Sequence, residues 1–461
     1  MKTNMVQSDF TQGEMWQNIL RQAIPLTIAN AVQVLYNVVD RIYLGHLPGA
    51  SSLALTGVGL IFPIVALITA FCNLFSTGGA PLFSISRGAG QPERAEKIMN
   101  MTFSALVVTA LVLTGAGYLF RKPILYLFGA SDETYPYADA YLTIYLAGTI
   151  CSMIATGMNG FINAQGFPGV GMLTIILGAV LNVILDPVFI FLLDMGVRGA
   201  ALATVISQTV SCLWVLRFLT GRKAPLRLKR ERMMPEIPLL GEIVKLGIPG
   251  FIMSGTNCLV QVACNATLKR YGGDSYIGVM TVINSVRELF MLPITGLTHG
   301  AQPVISFNYG AKAYRRVREG IVFMSVASTV MTLVSWLLVL TFPGVLLGMF
   351  TNDPALIELG VRSMQIYFFG FCFMALQIAG QSTFVALGKS RQAVFFSLLR
   401  KAFIVFPLTL WLPMVFHLGA DGVFVAEPVS NLIGGGACFV TMVLTVWRQL
   451  RREEEKLKSK T

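Results

Sequence analysis

The chain has 461 residues, 54% of them hydrophobic and only 13% charged, against the roughly 25% charge usual in soluble domains. Its formal net charge of +12 would suggest nucleic acid in a soluble protein. Here the basic residues lie in short loops between apolar runs, which excludes a soluble core and points to the lipid bilayer rather than to a nucleic-acid partner.

Apolar windows recur along the whole length, each about the 20 residues a helix needs to cross roughly 30 Å of hydrocarbon. Residues 1–16 are polar and no short apolar stretch with a cleavage site precedes the first long run, so no removed signal peptide is expected. The first predicted span is 16–44. In it Asn30, Gln33, Asn37 and Asp40 recur at helical spacing on one face, with Tyr36 beside them. Such a stripe must face protein or water, because a carboxylate at the bilayer centre costs at least about 2.5–3.5 kcal/mol. Interhelical hydrogen bonding alone is the plainer alternative. Arg41 projects about 100° around the helix from Asp40, so the two need not pair.

Spans at 53–83, 98–120 and 136–164 follow. The fifth, 170–193, carries Asn182 and Asp186 one turn apart on one face, either as two oxygen donors or with Asp186 capping a break at Pro187. In the sixth, 197–219, the small residues Gly199-Ala200-Ala201 permit close backbone approach and could bring the Thr204 hydroxyl to the same cluster. The basic segment 221–238 reads as a cytoplasmic hinge linker. Further spans are expected at 240–269, 276–306, 319–342, 356–387, 392–416 and 420–447, with Pro25, Pro63, Pro249 and Pro293 at tolerated bends.

The second half holds its own intramembrane charges: Arg287-Glu288, Arg400-Lys401 and Glu427. Ion pairs between the two halves are one reading of them. Glu288 facing a cationic ligand is the functional alternative, with Glu427 as a second candidate. Met253, Met280 and Met291 with Phe251 and Phe290 could line an adaptable apolar cavity, although packing is the commoner role. All seven cysteines fall in apolar segments without metal or redox spacing and read as packing residues. The tail from Arg451 to Lys456 reads as a solvated helix end.

An internal repeat organises these spans. Ile24-Pro25 recurs as Ile248-Pro249, and Leu47-Pro48-Gly49 meets Tyr271-Gly272-Gly273, both at a shift of 224. Pro81, Ser84, Tyr145 and Gly166 meet Pro303, Ser306, Tyr367 and Gly388 at 222; Gly196, Gly199, Ala203 and Ser207 meet Gly419, Gly422, Ala426 and Ser430 at 223. Each copy has an even number of spans. The expected fold is therefore an all-α integral membrane protein of twelve transmembrane helices in two six-helix lobes, related by a pseudo-two-fold axis along the membrane normal. The expected division is 1–220 as the N-terminal lobe, 221–238 as linker, 239–447 as the C-terminal lobe and 448–461 as a cytoplasmic tail. Basic residues concentrate in alternate loops, which places both termini on the cytoplasmic side of the inner (plasma) membrane.

Duplicated lobes about a midplane cavity suit alternating-access transport. The three histidines lack metal-ligand spacing and no phosphate-binding Gly-x-x-x-x-Gly-Lys-Ser/Thr motif is present, so an ion gradient is the expected energy source and an enzyme is not expected. The position matching Asp40 is Cys264, and 392–416 contains no Asp or Glu, so the acidic cluster belongs to the first half only.

Several segments carry a family resemblance: Tyr36-Asn-Val-Val-Asp40-Arg-Ile-Tyr-Leu-Gly45-His, Leu181-Asn182-Val-Ile-Leu-Asp186-Pro187, Gly196-Val-Arg-Gly-Ala-Ala-Leu-Ala-Thr204 and Gln302-Pro303-Val-Ile-Ser306-Phe-Asn-Tyr-Gly310-Ala. In this order they resemble the multidrug and toxic compound extrusion (MATE) family, with the MepA-like bacterial branch suggested, over nearly the whole chain. The resemblance implies a V-shaped pair of lobes working as a multidrug efflux antiporter, which exports amphipathic, mostly cationic drugs and dyes in exchange for H+ or Na+; a monomer is expected. It also implies a cation-coupling site at Asp40, Asn182, Asp186 and Thr204, where Na+ would bind if it is the coupling ion, and a bend at Pro25. The substrate cavity is expected at Gln33, Tyr36 and Asn159, with Glu288 added from the charge pattern. No other cofactor is implied. A flippase for a lipid-linked precursor is the alternative of related architecture; a membrane-embedded enzyme is a third and less favoured one. The carboxylates that one branch of the family uses on its seventh and tenth spans are replaced here by Cys258, Cys264, Gln377 and Gln381.

Overall fold

The computed structural model describes residues 8–45, 57–229, 236–350 and 353–459. His46, Leu47-Pro48-Gly49, Arg230 and Arg232 lie outside the described residues, as do the side chains of Asn37, Arg41 and Cys258.

Among the described residues every regular element is helical. In chain order they are α1 (Met15–Gly45), α2 (Phe62–Gly88), α3 (Pro92–Leu127), α4 (Tyr135–Ala164), α5 (Pro168–Pro187, continued by the π-helical turn Val188–Leu192) and α6 (Gly196–Thr220). The second half supplies α7 (Ile237–Gly273), α8 (Ser275–Gly310), α9 (Tyr314–Thr341), the bent α10 (Pro354–Tyr367 and Cys372–Ala386), α11 (Ser390–Val415) and α12 (Ala420–Lys458). Ten of these are single helices long and apolar enough to span a bilayer, and the two arms of α10, bent by 51°, make an eleventh. α1 falls short of that apolarity because of its polar stripe, while its length of 31 residues is ample. The chain is thus a multi-pass, all-α membrane protein whose twelve helices fall six to each copy of the repeat.

Helices run past the predicted limits where their ends are polar. The span expected at 98–120 is a helix from Pro92 to Leu127, because hydropathy registers only the apolar middle. Pro63 stands in the first turn of α2, where its missing N–H is no loss, just after the turn at Leu60 and Ile61 that interrupts the span starting at Gly57.

The duplication is visible in the backbone. Left-handed residues recur at the repeat shift: Gly90 (φ 70) with Lys312 (φ 58), Gly166 (φ 92) with Gly388 (φ 71), Asp194 (φ 50) with His417 (φ 54), and Gly196 (φ 55) with Gly419 (φ 56). The shift grows from 222 to 223 across α5 and α11. Both of these helices contain π-helical turns, and such turns cluster where helices are locally irregular for a purpose.

The chain forms two compact units: Met1–Phe10 with Ile24–Phe251, and Thr11–Ala23 with Ile252–Thr461. The divisions fall inside α1 and α7, beside the repeated prolines Pro25 and Pro249, rather than at the 221–238 linker expected from sequence. Two interactions explain this. The start of α7 packs on α2 through glycines, since a Cβ on Gly247 would overlap the Leu74 carbonyl and one on Gly78 would overlap that of Ile243. The described part of the linker is also anchored to the first unit: Lys229 N donates to Asn100 Oδ1 at 2.9 Å, Leu226 N to Gln165 Oε1 at 3.1 Å, and Lys229 Nζ pairs with Glu96 at 2.9 Å. In the second unit the opening turns of α1 pack on α9, where Gly320 leaves room for Met15 and Ile19. The tail is solvated at Arg451 and Arg452, but Glu454 is tied to Arg318 at 2.9 Å and Leu450 is buried.

The α2–α7 crossing makes the first prediction. Gly247→Ala should cost about 1–3 kcal/mol, because its methyl can only displace backbone. Gly255→Ala on the same helix meets nothing within 4 Å and should be neutral or slightly stabilising. Thermal unfolding of both variants in detergent decides it; equal midpoints would mean that the crossing adjusts without strain.

Candidate cation and substrate site

In the first unit α1, α4, α5 and α6 bring the predicted polar residues together. Gly199 sets the approach of α6: a Cβ there would meet the Phe189 carbonyl carbon and oxygen at 2.7 Å and Ile190 N at 3.0 Å, so only glycine lets α6 lie against the π-helical turn of α5. Thr204 thereby reaches Asn182. With the amide oriented to give both of its atoms complementary partners, Asn182 Nδ2 donates to Asp186 Oδ2 at 3.0 Å, and its oxygen accepts from Thr204 Oγ1 at 3.3 Å and Thr204 N at 3.2 Å. Asp186, Asn182 and Thr204 are all buried, Asp186 completely.

The Asp186 carboxyl faces that of Asp40. Two carboxyls can hydrogen-bond each other only when one of them is protonated, because a carboxylate has no donor. Pro187 does not end the helix, which continues as the π-helical turn, so Asp186 is held in a buried cluster instead of capping a break. Tyr43 at the end of α1 packs edge-on against Phe191 of that turn, with ring centroids 6.3 Å apart, and so ties α1 to α5 beside the pair.

Beside the pair lies a cavity of about 360 Å³ lined by residues of the first unit. Gln33, Tyr36, Asn159, Asn182 and Thr204 all reach it, as the sequence leads one to expect of a polar stripe. Among the described residues its lining contains no charged side chain. Asn159 Nδ2 donates to Gly171 O at 3.2 Å, while its Oδ1 is buried with no partner among the described residues. Several contributors went unread: Ser207, Gln208 and Ser211, whose recurrence with Thr204 at helical spacing on α6 was a usable signal, and Tyr141 and Tyr145 on α4. Tyr141 lies near Thr204 and stacks on Tyr145 with ring centroids 6.1 Å apart. Tyrosine in an apolar helix gave no such signal, because it also packs. Among the described residues no three His, Cys, Asp or Glu side chains are grouped as metal ligands, so any cation held here would rest on two carboxyls and on the neutral oxygens of Asn182 and Thr204.

Glu288 lies in the second unit, exposed on α8. Thr281, Asn284 and Ser285 precede it at helical spacing; Asn284 Nδ2 donates to Gln261 Oε1 of α7 at 3.2 Å, and Gln261 Nε2 in turn donates to Asn265 Oδ1 at 3.2 Å. This polar patch was legible as a stripe and was not read. Arg400, Lys401 and Glu427 were expected to pair between the halves; they pair within the second unit instead. Arg400 bonds Glu427 directly, and Lys401 Nζ lies 3.4 Å from the same carboxylate, because α11 and α12 are neighbours there. Glu427 is thus a buried ion-pair member. The expected Met and Phe lining is mostly packing: Met280 is buried, Phe290 packs on Phe368 at 6.1 Å and Phe251 on Phe71 at 5.1 Å.

The chain is similar to known proteins over most of its length. A multidrug export protein MepA from Staphylococcus aureus is 24% identical over 441 residues, 95% of each chain, and one from Staphylococcus haemolyticus is 27% identical over 81% of this chain and 83% of its own. A solved structure described as the outward-facing conformation of a multidrug resistance MATE family transporter of the MOP superfamily superposes with a TM-score of 0.89 at 21% identity, covering 96% of this chain and 98% of the other. The MatE family model matches residues 25–188 and again 249–411, one match to each copy of the repeat. With both copies matched over most of its length, this chain belongs to the MatE family.

Proposed function

We propose that the protein is a secondary active exporter of amphipathic, mostly cationic compounds, driven by the exchange of H+ or Na+ through alternating access in the plasma membrane, with both termini cytoplasmic. The observation that carries this reading is the Asp40–Asp186 carboxyl pair next to an uncharged polar cavity of about 360 Å³. A pair that shares one proton can give it up to accept a metal cation or take up a second proton, and either event changes the charge beside the cavity. The relatives' description as multidrug export proteins supports drugs and dyes as cargo. A flippase for a lipid-linked diphosphate would be expected to offer cations in its cavity, and this lining has neither Lys nor Arg. The protein is taken to act as a monomer.

The test is efflux of a lipophilic cationic dye from proteoliposomes under a proton gradient and a sodium gradient, each imposed alone. Dye movement under at least one gradient supports the reading, and its absence under both removes it. Glu288→Gln should reduce export of a cationic dye several-fold while sparing a neutral substrate, since a carboxylate favours cations by charge. Equal losses for both would make Glu288 structural.

A further inference from the structure

The repeat allows the interior of each unit to be compared position by position. Asp40 corresponds to Cys264 at the shift of 224, and Asp186 and Thr204 correspond to Thr409 and Glu427 at 223. The second unit preserves the contact with changed chemistry: Cys264 Sγ lies 3.9 Å from Thr409 Oγ1, where the first unit has its carboxyl pair. Tyr145 has its counterpart in Tyr367, which lies beside Arg287. At the shift of 222, Arg400 and Lys401 stand where Gly178 and Ala179 line the cavity of the first unit. The same interior position therefore carries acidic groups in one unit and mainly basic groups in the other.

The basic cluster is not charge-balanced. Arg287, Arg400 and Lys401 surround Glu427, which accepts from Arg400 and lies 3.4 Å from Lys401 Nζ. Glu288 adds a second negative charge near Arg287 but makes no ion pair with it among the described residues, so by formal charge the three cations exceed the two carboxylates by one. Tyr367, Cys264 and Cys438, the other titratable groups facing the cluster, are uncharged in their ordinary forms. Donors are left over as well. Among the described residues the Nε atoms of Arg287 and Arg400 and the Nδ2 of Asn431 are buried donors without a hydrogen-bond partner, and the Asn431 Oδ1 is a buried acceptor without one. Asn431 is fully buried one turn after Glu427, in a π-helical turn whose Gly434 packs on the Arg400 side chain. Buried surplus charge and orphaned donors are both costly in a membrane interior, and a bound anion would satisfy both.

We propose that the second unit binds one small monovalent anion, a halide or a small carboxylate, at the Arg287, Arg400 and Lys401 cluster with Asn431 as a neutral donor, in the position where the first unit carries its carboxyl pair. The anion neutralises the surplus charge and makes the cluster a fixed structural centre.

The test is thermal unfolding of the purified full chain in detergent, with sodium gluconate, too bulky for a buried cluster, replaced stepwise by sodium chloride, bromide or acetate at constant ionic strength. The unfolding midpoint should rise by a few degrees and saturate with anion concentration. A rise with chloride and bromide alone assigns a halide, and a rise with acetate assigns a carboxylate. Arg287→Gln removes the surplus charge and should be as stable in gluconate as the native chain is in chloride. Asn431→Leu should raise the half-saturating concentration at least about tenfold. Equal midpoints in gluconate and in every small anion, or a chloride effect untouched by both variants, would overturn the site.

Discussion

Asp186→Asn should reduce gradient-driven efflux to the background of protein-free liposomes, and Asp40→Asn should do the same, while both variants still express and retain some drug binding. Asparagine keeps the size of aspartate and can still accept from Asn182, so the packing of α1, α5 and α6 is preserved. What it loses is the ability to exchange a proton or to neutralise a cation, and coupling needs that ability. One entering charge is worth about 2.3 kcal/mol per 100 mV, enough for a roughly 50-fold gradient of a neutral compound. A single lost exchange site thus removes the whole driving force. Coupling in turn requires that the cation state of the pair bias the conformation of α1, which passes Pro25 before reaching Asp40. The readout is dye efflux under an imposed gradient, alongside equilibrium dye binding to the same preparations. If the Asp40→Asn, Asp186→Asn double variant transports at the native rate, coupling resides elsewhere and Glu288 becomes the next carboxylate to examine.

Glu427→Gln should destabilise the protein by about 3–5 kcal/mol, the largest single-residue stability loss expected here. Arg400 and Lys401 are both buried and share this one carboxylate, so its removal leaves two cations without a counter-charge. Replacing the whole triad with apolar residues (Arg400→Met, Lys401→Met, Glu427→Leu) should restore most of the loss, since an apolar cluster carries no desolvation penalty. Unfolding midpoints of the single and triple variants measure the difference. A single variant as stable as the native chain would mean that water or lipid headgroups reach the cluster.

Much of this architecture is determined locally. Each span can be read from hydropathy because a helix in lipid must satisfy its own backbone hydrogen bonds, so apolarity and length suffice to identify it. The repeat is equally local, and the matching left-handed turns at Gly166 and Gly388, and at Gly196 and Gly419, follow from residue type. The polar stripes holding Asp40 on α1 and Asn182 and Asp186 on α5 are legible for the same reason: helical periodicity places them on faces. Which faces meet is decided by packing between distant segments, and no periodicity encodes that. Only the tertiary structure joins the Asp40 and Asp186 carboxyls, pairs Arg400 and Lys401 with Glu427 inside one unit, and divides the chain within α1 and α7. The physical reason is the same in each instance: glycines such as Gly199 and Gly247 admit a neighbouring backbone at one register, and the charges and hydroxyls carried by those helices then have to find partners where that register places them.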